Sequence, residues 1–419
     1  MTALSPNASR HLADKALELI SQLDEAVAGG EPADVVLNQY FRAHKQHGAK
    51  DRRFLGDAIF SWFRWNGWVS SEPRERAAAL ACLLDGLAHP PVSSLVNAAN
   101  IPSDTVQRLS AADLAGKARA FQALTGHAVS LNELLPGWVK EELAADVFTP
   151  CVEAFQKRPP TWLRARSVRP AAILQALSEQ NIQAILHANL PEALAVPGSS
   201  ALAQLSPAVQ SQFEVQDLAS QAVGLVCAPR PGETWWDVCA ASGGKSLHLA
   251  DLMRQQGRVL ATDVRPDALR RLRVRADRAG CAIITTAAVK GLEYPTKELF
   301  DGVLVDAPCS GLGTWSRQPD ARWRTPRTDI ARRAEQQKAI LAQATRRVRP
   351  GGVLVYSVCT LTRAETLDRA HDFLAHHPDF QPGTVQHPLS GKTEPGGMWV
   401  YPWDGPCDGM FIARFERKA

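Results

Sequence analysis

TWWDVCAASGGKS (234–246) decides the fold. A short apolar strand runs into a turn of small residues, and the turn opens a helix. That is the first βα unit of an open, doubly wound α/β sheet of the Rossmann-like kind. Outward from it, RVLATDV (258–264), AIITTAA (282–288), GVLVDAP (302–308) and GVLVYSV (352–358) read as further strands with helical stretches between them. VQDLASQAVGLVC (215–227) reads as the helix that leads in, and GMFIARFER (409–417) as a last strand at the edge of the sheet. In such a sheet, ligands bind beyond the carboxyl ends of the strands, where the strand order reverses.

Three segments end at that margin. The turn from Cys239 through Ala240, Ala241, Ser242, Gly243 and Gly244 to Lys245 lets backbone approach a ligand closely and leaves helix amides free. Asp263 closes the next strand, where an acid binds two ribose hydroxyls. An adenosine-type cofactor is expected there. A P-loop is the competing motif, because GGKS resembles its end, but the glycine it needs five positions before Gly244 is Cys239 here. Two later strands deliver thiols: Cys309 in GVLVDAPCSGLG (302–313), just after Asp306, and Cys359 in GGVLVYSVCTL (351–361). A lone cysteine after a buried strand is usually inert core, which is the expectation for Cys82, Cys151, Cys227, Cys281 and Cys407. The paired placement of Cys309 and Cys359 around an acid and a cofactor turn points instead to thiol chemistry on a planar substrate.

The chain is long enough, at 419 residues, for two or three domains. A helical region is expected over 1–149, a small α/β module over 150–215 and the doubly wound domain over 216–419. Apolar residues recur at helical spacing over 11–28, 32–46, 51–65, 73–87, 103–126 and 136–146. Trp62, Trp65 and Trp68 read as core rather than RNA-stacking residues. In the small module, KRPPTWLRARS (157–167) and NIQAILHA (181–188) read as strands around a helix at 170–180. The eight cysteines have neither disulfide nor zinc-like spacing, so no metal and a reducing cytoplasm are expected. No apolar run is long enough for a membrane span, and MTALSPNASRHLADK lacks a signal-peptide core. A monomer is the default. The net charge is only +4, but residues 317–349 hold ten Lys/Arg against three Asp/Glu, a pattern compatible with phosphate contacts near a crevice.

Taken together, CAASGGKS, DAPCSGLG, YSVCTL, KRPPTWLRARS, FEVQDLASQ and DGMFIARFER resemble the RNA cytosine carbon-5 methyltransferases of the Rsm/Nop/NSUN superfamily. DRRFLGDAIFSWFRW with the later LPGWV is similar to the NusB-like, RNA-binding region of its RsmB/Sun branch. The chain departs from the family in three places. Ser242 replaces a proline, TTAAVKGLEYP (285–295) lacks the family's adenine-side acid, and its E-N-E is reduced to Glu365-Thr366-Leu367.

The resemblance implies S-adenosylmethionine as cofactor, held by the turn residues with Asp263 and Asp306. It implies Cys359 as the nucleophile that adds to carbon 6 of cytosine, and Cys309 as the aid to release. Asp306 would hold the base edge, and Lys245 would favour the thiolate or orient the base. The target base must be unstacked, and bacterial 16S rRNA is the expected substrate. Arg158, Arg164, Arg166, Arg317, Arg322 and Arg324 are candidate RNA contacts, with Trp315 or Trp323 as a stacking or a packed residue. The alternatives are the same chemistry on tRNA or 23S rRNA, and a non-catalytic RNA-binding assembly factor.

Overall fold

The computed structural model describes residues 5–111, 113–166, 169–198 and 202–419. The first four residues of the expected helical region, and Ser167 of the expected strand, lie outside them. The chain forms two compact units: one holds the residues up to Arg158 with Trp315–Arg327, the other Pro159–Thr314 with Thr328–Ala419.

The first unit is helical. Its long helices are Pro6–Ala28, Ala33–Ala43, Ala49–Val69, Arg74–Leu84, Leu114–Thr125 and Ala145–Phe155. Trp62, Trp65 and Trp68 are buried, as expected of core. Their indole N–H groups donate to Asp24, Asp85 and the Ser130 carbonyl, so each large ring is buried without stranding its donor. The stretch read as helical over 103–126 is two helices, because Asp113 caps a second start by accepting the Gly116 N–H at 2.6 Å. A helix at Pro90–Ala98 was not expected. It opens on Pro90-Pro91, which suit a first turn where no N–H is needed.

The second unit begins with a small antiparallel sheet of β1 (Thr161–Ala165), β2 (Ile185–Leu186), β3 (Ala193–Val196) and β4 (Phe213–Val215), in the order β2-β3-β1-β4. Leu163, Ile173, Leu177, Leu194 and Phe213 form its core. The expected NIQAILHA strand shrinks to the two residues of β2, both exposed. Buried Arg164 on β1 donates to Asp251 at 2.8 Å and to Gln216 at 2.7 Å, and Arg166 binds both oxygens of the same aspartate. These pairs tie the module to the helix Gly244–Leu252.

The main sheet holds β5 (Thr234–Asp237), β6 (Arg258–Asp263), β7 (Ile284–Ala288), β8 (Phe300–Asp306), β9 (Val348–Val358) and β10 (Phe380–Pro382). After a ribbon of β11 (Thr384–Gln386) and β12 (Thr393–Pro395) come β13 (Gly397–Val400) and β14 (Met410–Arg417). The order is β10-β14-β9-β8-β5-β6-β7, with β5 to β9 parallel and β14 antiparallel. The chain steps outward one way from β5 to β7 and the other way from β8 to β9. The order therefore reverses between β5 and β8, where a crevice opens.

One expectation is corrected: GMFIARFER is not an edge. β14 pairs with β9 on one side and with β10 and β13 on the other. Its residues Met410–Ala413 and Phe415 are all buried. The strands that cover it carry Pro382, Gly396 and Gly397 in or beside them, which mask strand patterning.

Gly302 of β8 lies beside Trp235 of β5, and a Cβ on it would sit 2.3 Å from the indole. Gly302→Ala should destabilise the fold by about 1–3 kcal/mol through overpacking. Urea unfolding checks this, and an unchanged midpoint would contradict it.

Candidate active site

The turn after β5 has one permitted backbone. Gly243 adopts φ +86°, and a Cβ there would stand 2.3 Å from Leu272 Cγ. Only glycine meets both conditions. Ala241 also has positive φ, and its N–H donates to Asp263 Oδ2 at 2.8 Å. Ser242 accepts from Arg275 at both its carbonyl and its hydroxyl, 2.9 and 3.1 Å, while Arg275 pairs with Glu214 at 2.6 Å. A side-chain clamp thus restrains the position where the resembling family has proline.

Asp263, at the end of β6, also accepts the Arg265 N–H and guanidinium, at 2.8 and 2.9 Å. Burial works against its charge, but these bonds and that from Ala241 hold the carboxyl below its usual range.

Two chambers meet at the strand ends. One of about 600 Å³ is lined by Val238, Asp263, Val264, Val289, Leu292 and Tyr294 among others. A second of about 350 Å³ is lined by Asp237, Lys245, Thr314, Cys359, Asp408 and Met410 among others. Both walls include Cys239, Ala241, Asp306 and Ala307, so Asp306 stands at the junction.

Lys245 donates to Asp306 Oδ2 at 2.7 Å, and Ser357 donates to Oδ1 at 2.8 Å. Burial opposes the lysine's charge, yet Asp306 and, after it, Cys359 outweigh burial and raise its pKa. Cys309 Sγ and Cys359 Sγ lie 3.3 Å apart as hydrogen-bonded thiols. That bond, with burial second, holds the Cys309 thiol well above its ordinary value, so Cys309 keeps its proton at neutral pH.

A buried carboxylate joins the two cysteine loops. Glu365 accepts the Ser310 N–H at 2.9 Å, the Ser310 and Thr362 hydroxyls and the Gln337 amide. Ser310 and Thr360 hydroxyls meet at 2.8 Å. The residues after each thiol are thus fixed to one anion. Asp237, beneath the turn, is fully buried and accepts from Ser246 at 2.6 Å, while its Oδ1 has no partner among the described residues. Burial pushes this carboxyl up to about 7.

The fold brings the turn from Cys239 to Lys245, Asp263, Asp306, Cys309 and Cys359 to one margin. The Cys239 thiol is itself pushed up by burial, which leaves the turn's backbone as its contribution. The expected arginine contacts fare differently. Arg164 is buried in its aspartate pair, and Arg322 is fully buried with its guanidinium donating to the carbonyls of Arg64, Leu134, Phe155 and Trp315. Neither can reach a phosphate, so both are corrected to structural residues. Arg166 lies in the same aspartate pair as Arg164. Arg158, Arg317 and Arg324 belong to the helical unit, where Arg158 pairs with Asp57 and Arg324 with Asp320. Trp315 is packed and fully buried, and Trp323 donates to the Phe63 carbonyl at 2.6 Å. Asp237, Ser357 and Arg275 had no distinguishing sequence signal. Glu365 had one in its place after the Cys359 motif.

The model of the family described as 16S rRNA methyltransferase RsmB/F matches residues 224–416. The probable ribosomal RNA small subunit methyltransferase B of Synechocystis is 35% identical over 277 residues, 63% of this chain and 61% of that protein. Ribosomal RNA small subunit methyltransferase B of Sodalis glossinidius is 30% identical over 295 residues, 69% of this chain and 67% of that one. The alignment thus takes in less than two thirds of the Synechocystis protein and two thirds of the Sodalis one. The solved structure of PH0851 shares the fold, with TM-score 0.75 and 24% identity, covering 99% of this chain and 100% of that one.

Glu365→Ala should cost about 2–4 kcal/mol, because four donors lose their acceptor, those of Gln337 and Thr362 fully buried. It should also slow oxidant-driven Cys309–Cys359 disulfide formation. Urea unfolding and thiol trapping measure both, and unchanged trapping would contradict the positioning role. Asp237→Asn tests the buried acid. A folded pKa above the unfolded one means that wild-type stability falls as pH rises from about 4 to about 7, then levels. The variant should gain on wild type across that window, and a pH-independent difference would contradict it.

Proposed function

We propose that this chain, which belongs to the 16S rRNA methyltransferase RsmB/F family, is an S-adenosylmethionine-dependent RNA (cytosine-5-)-methyltransferase acting on small-subunit ribosomal RNA. One observation carries this: two thiols 3.3 Å apart stand at the margin where Lys245 pairs with Asp306, and Asp306 also lines the chamber beside the glycine turn.

The large chamber suits the cofactor. Its size is in the usual range for such ligands. Asp263 would take the ribose diol, and Val264, Val289 and Leu292, which line the same chamber, would give adenine apolar faces. Arg265 now covers the Asp263 carboxylate from the outside and would have to yield to the diol. In place of the missing adenine-side acid, Arg333 and Gln336 line the same chamber. When bound, S-adenosylmethionine supplies an electrophilic methyl group.

This chain's residues do the rest. Cys359, near the Lys245 cation, adds as thiolate to carbon 6 and breaks the ring's aromaticity, so that carbon 5 becomes the nucleophile. Asp306, oriented by Lys245 and Ser357, holds the base edge. After methylation, loss of the carbon-5 proton and return of the C6–S electron pair to Cys359 restore the ring. Cys309, beside the departing sulfur, serves that release. On the same reading the setting is cytoplasmic, the chain is a monomer and the NusB-like helical region is a source of further RNA contacts.

Cys359→Ala should lower methyl transfer to RNA by at least about 10³-fold. Near-normal turnover would contradict the mechanism. Cys309→Ala should accumulate an RNA–protein adduct that survives denaturation and is lost in the double variant. Full activity without such an adduct would contradict the release role.

A further inference from the structure

WVYPW (399–403) carries aromatic residues at every second position, from the end of β13 at Val400 into the turn that holds Trp403. The rings form a series. Trp399 rests on buried Phe411 with centroids 5.0 Å apart. Trp399 and Tyr401 are nearly parallel, at 7° and 6.2 Å, and Tyr401 and Trp403 at 6° and 4.6 Å. The last ring is 41% exposed, whereas Trp235 and Trp236 of the same unit are buried. Of the other exposed apolar side chains, Val264 and Leu292 line the large chamber and Val215 the small one, while the remaining exposed ones are aliphatic.

Two features fix the position of the series. β13 pairs Val400 with Met410, and β14 pairs Phe411 with Val358, so the aromatic segment leaves the sheet at the end that carries Cys359. From Trp403 the chain runs to Asp408 and Met410, which line the small chamber with Lys245, Asp306 and Cys359. The loop is also held before any ligand arrives. The Tyr401 N–H donates to Asp404 at 2.8 Å and the Asp404 N–H returns to Tyr401 at 3.0 Å, closing a turn around Trp403.

We propose that Trp403 is a stacking platform for an unpaired RNA base that neighbours the target cytosine. This rests on the RNA methyltransferase function proposed above. Extracting a base from a stack leaves its neighbour without a partner on one face. A preset indole in line with a second ring offers that face a replacement. Stacking of this kind tolerates any base, so it adds affinity without dictating sequence.

The test is equilibrium binding of a single-stranded oligoribonucleotide carrying the target cytosine to the full chain. Trp403→Ala should weaken binding about tenfold or more, and Trp403→Phe should restore most of it, with S-adenosylmethionine affinity unchanged in both. An abasic nucleotide at one position flanking the cytosine should weaken wild type by a similar factor and add nothing to Trp403→Ala. Equal binding by wild type and Trp403→Ala, or losses that multiply at every abasic position, would overturn the platform. Trp403-dependent binding without methyl transfer by wild type would overturn the proposed activity and leave the platform standing. Normal methyl transfer with Trp403-independent binding would do the reverse.

Discussion

The Lys245–Asp306 pair is the constraint on which the site depends. The lysine comes from the first turn of the helix after β5, and the aspartate from the end of β8. These are the strands between which the sheet order reverses. Ser357 of β9 holds the other carboxylate oxygen, so three elements converge on one anion. Removing either charge would leave its partner half-buried and unmatched, which is costly in a crevice. The same aspartate borders both chambers, so the pair that closes the crevice also sets where a cofactor and a base would meet.

Around that pair, positions are fixed by carboxylates that have taken up their donors. Asp263 holds the glycine turn through the Ala241 amide, and Glu365 holds the loops after both thiols. Each is restrained by several hydrogen bonds at once, so a change in one loop is felt in the other. The 3.3 Å thiol contact is a product of this scaffold and not of the strands alone.

Much of this was legible in the sequence. Alternating apolar strands and helical stretches, with a glycine turn after the first strand, imply the doubly wound sheet. The acid and the two thiols at strand ends imply the site, because strand ends share one margin. What was hidden depends on tertiary environment. Nothing in the sequence marks Asp237 as fully buried, and Glu365 gains meaning only when Ser310 and Thr362 are brought to it. The arginines misled for the same reason. Arg322 reads as a solvated cation in a basic loop, yet its five donors suit a cluster of main-chain carbonyls, and the segment Trp315–Arg327 packs into the helical unit. The outer strands were missed because prolines and glycines interrupt them.

The most direct measurement is transfer of labelled methyl from S-adenosylmethionine to unmodified, protein-free 16S rRNA, with the label mapped to its atom and nucleotide. Wild type should form 5-methylcytosine at a single position. Absence of label, or label on any atom other than carbon 5 of a cytosine, would contradict it.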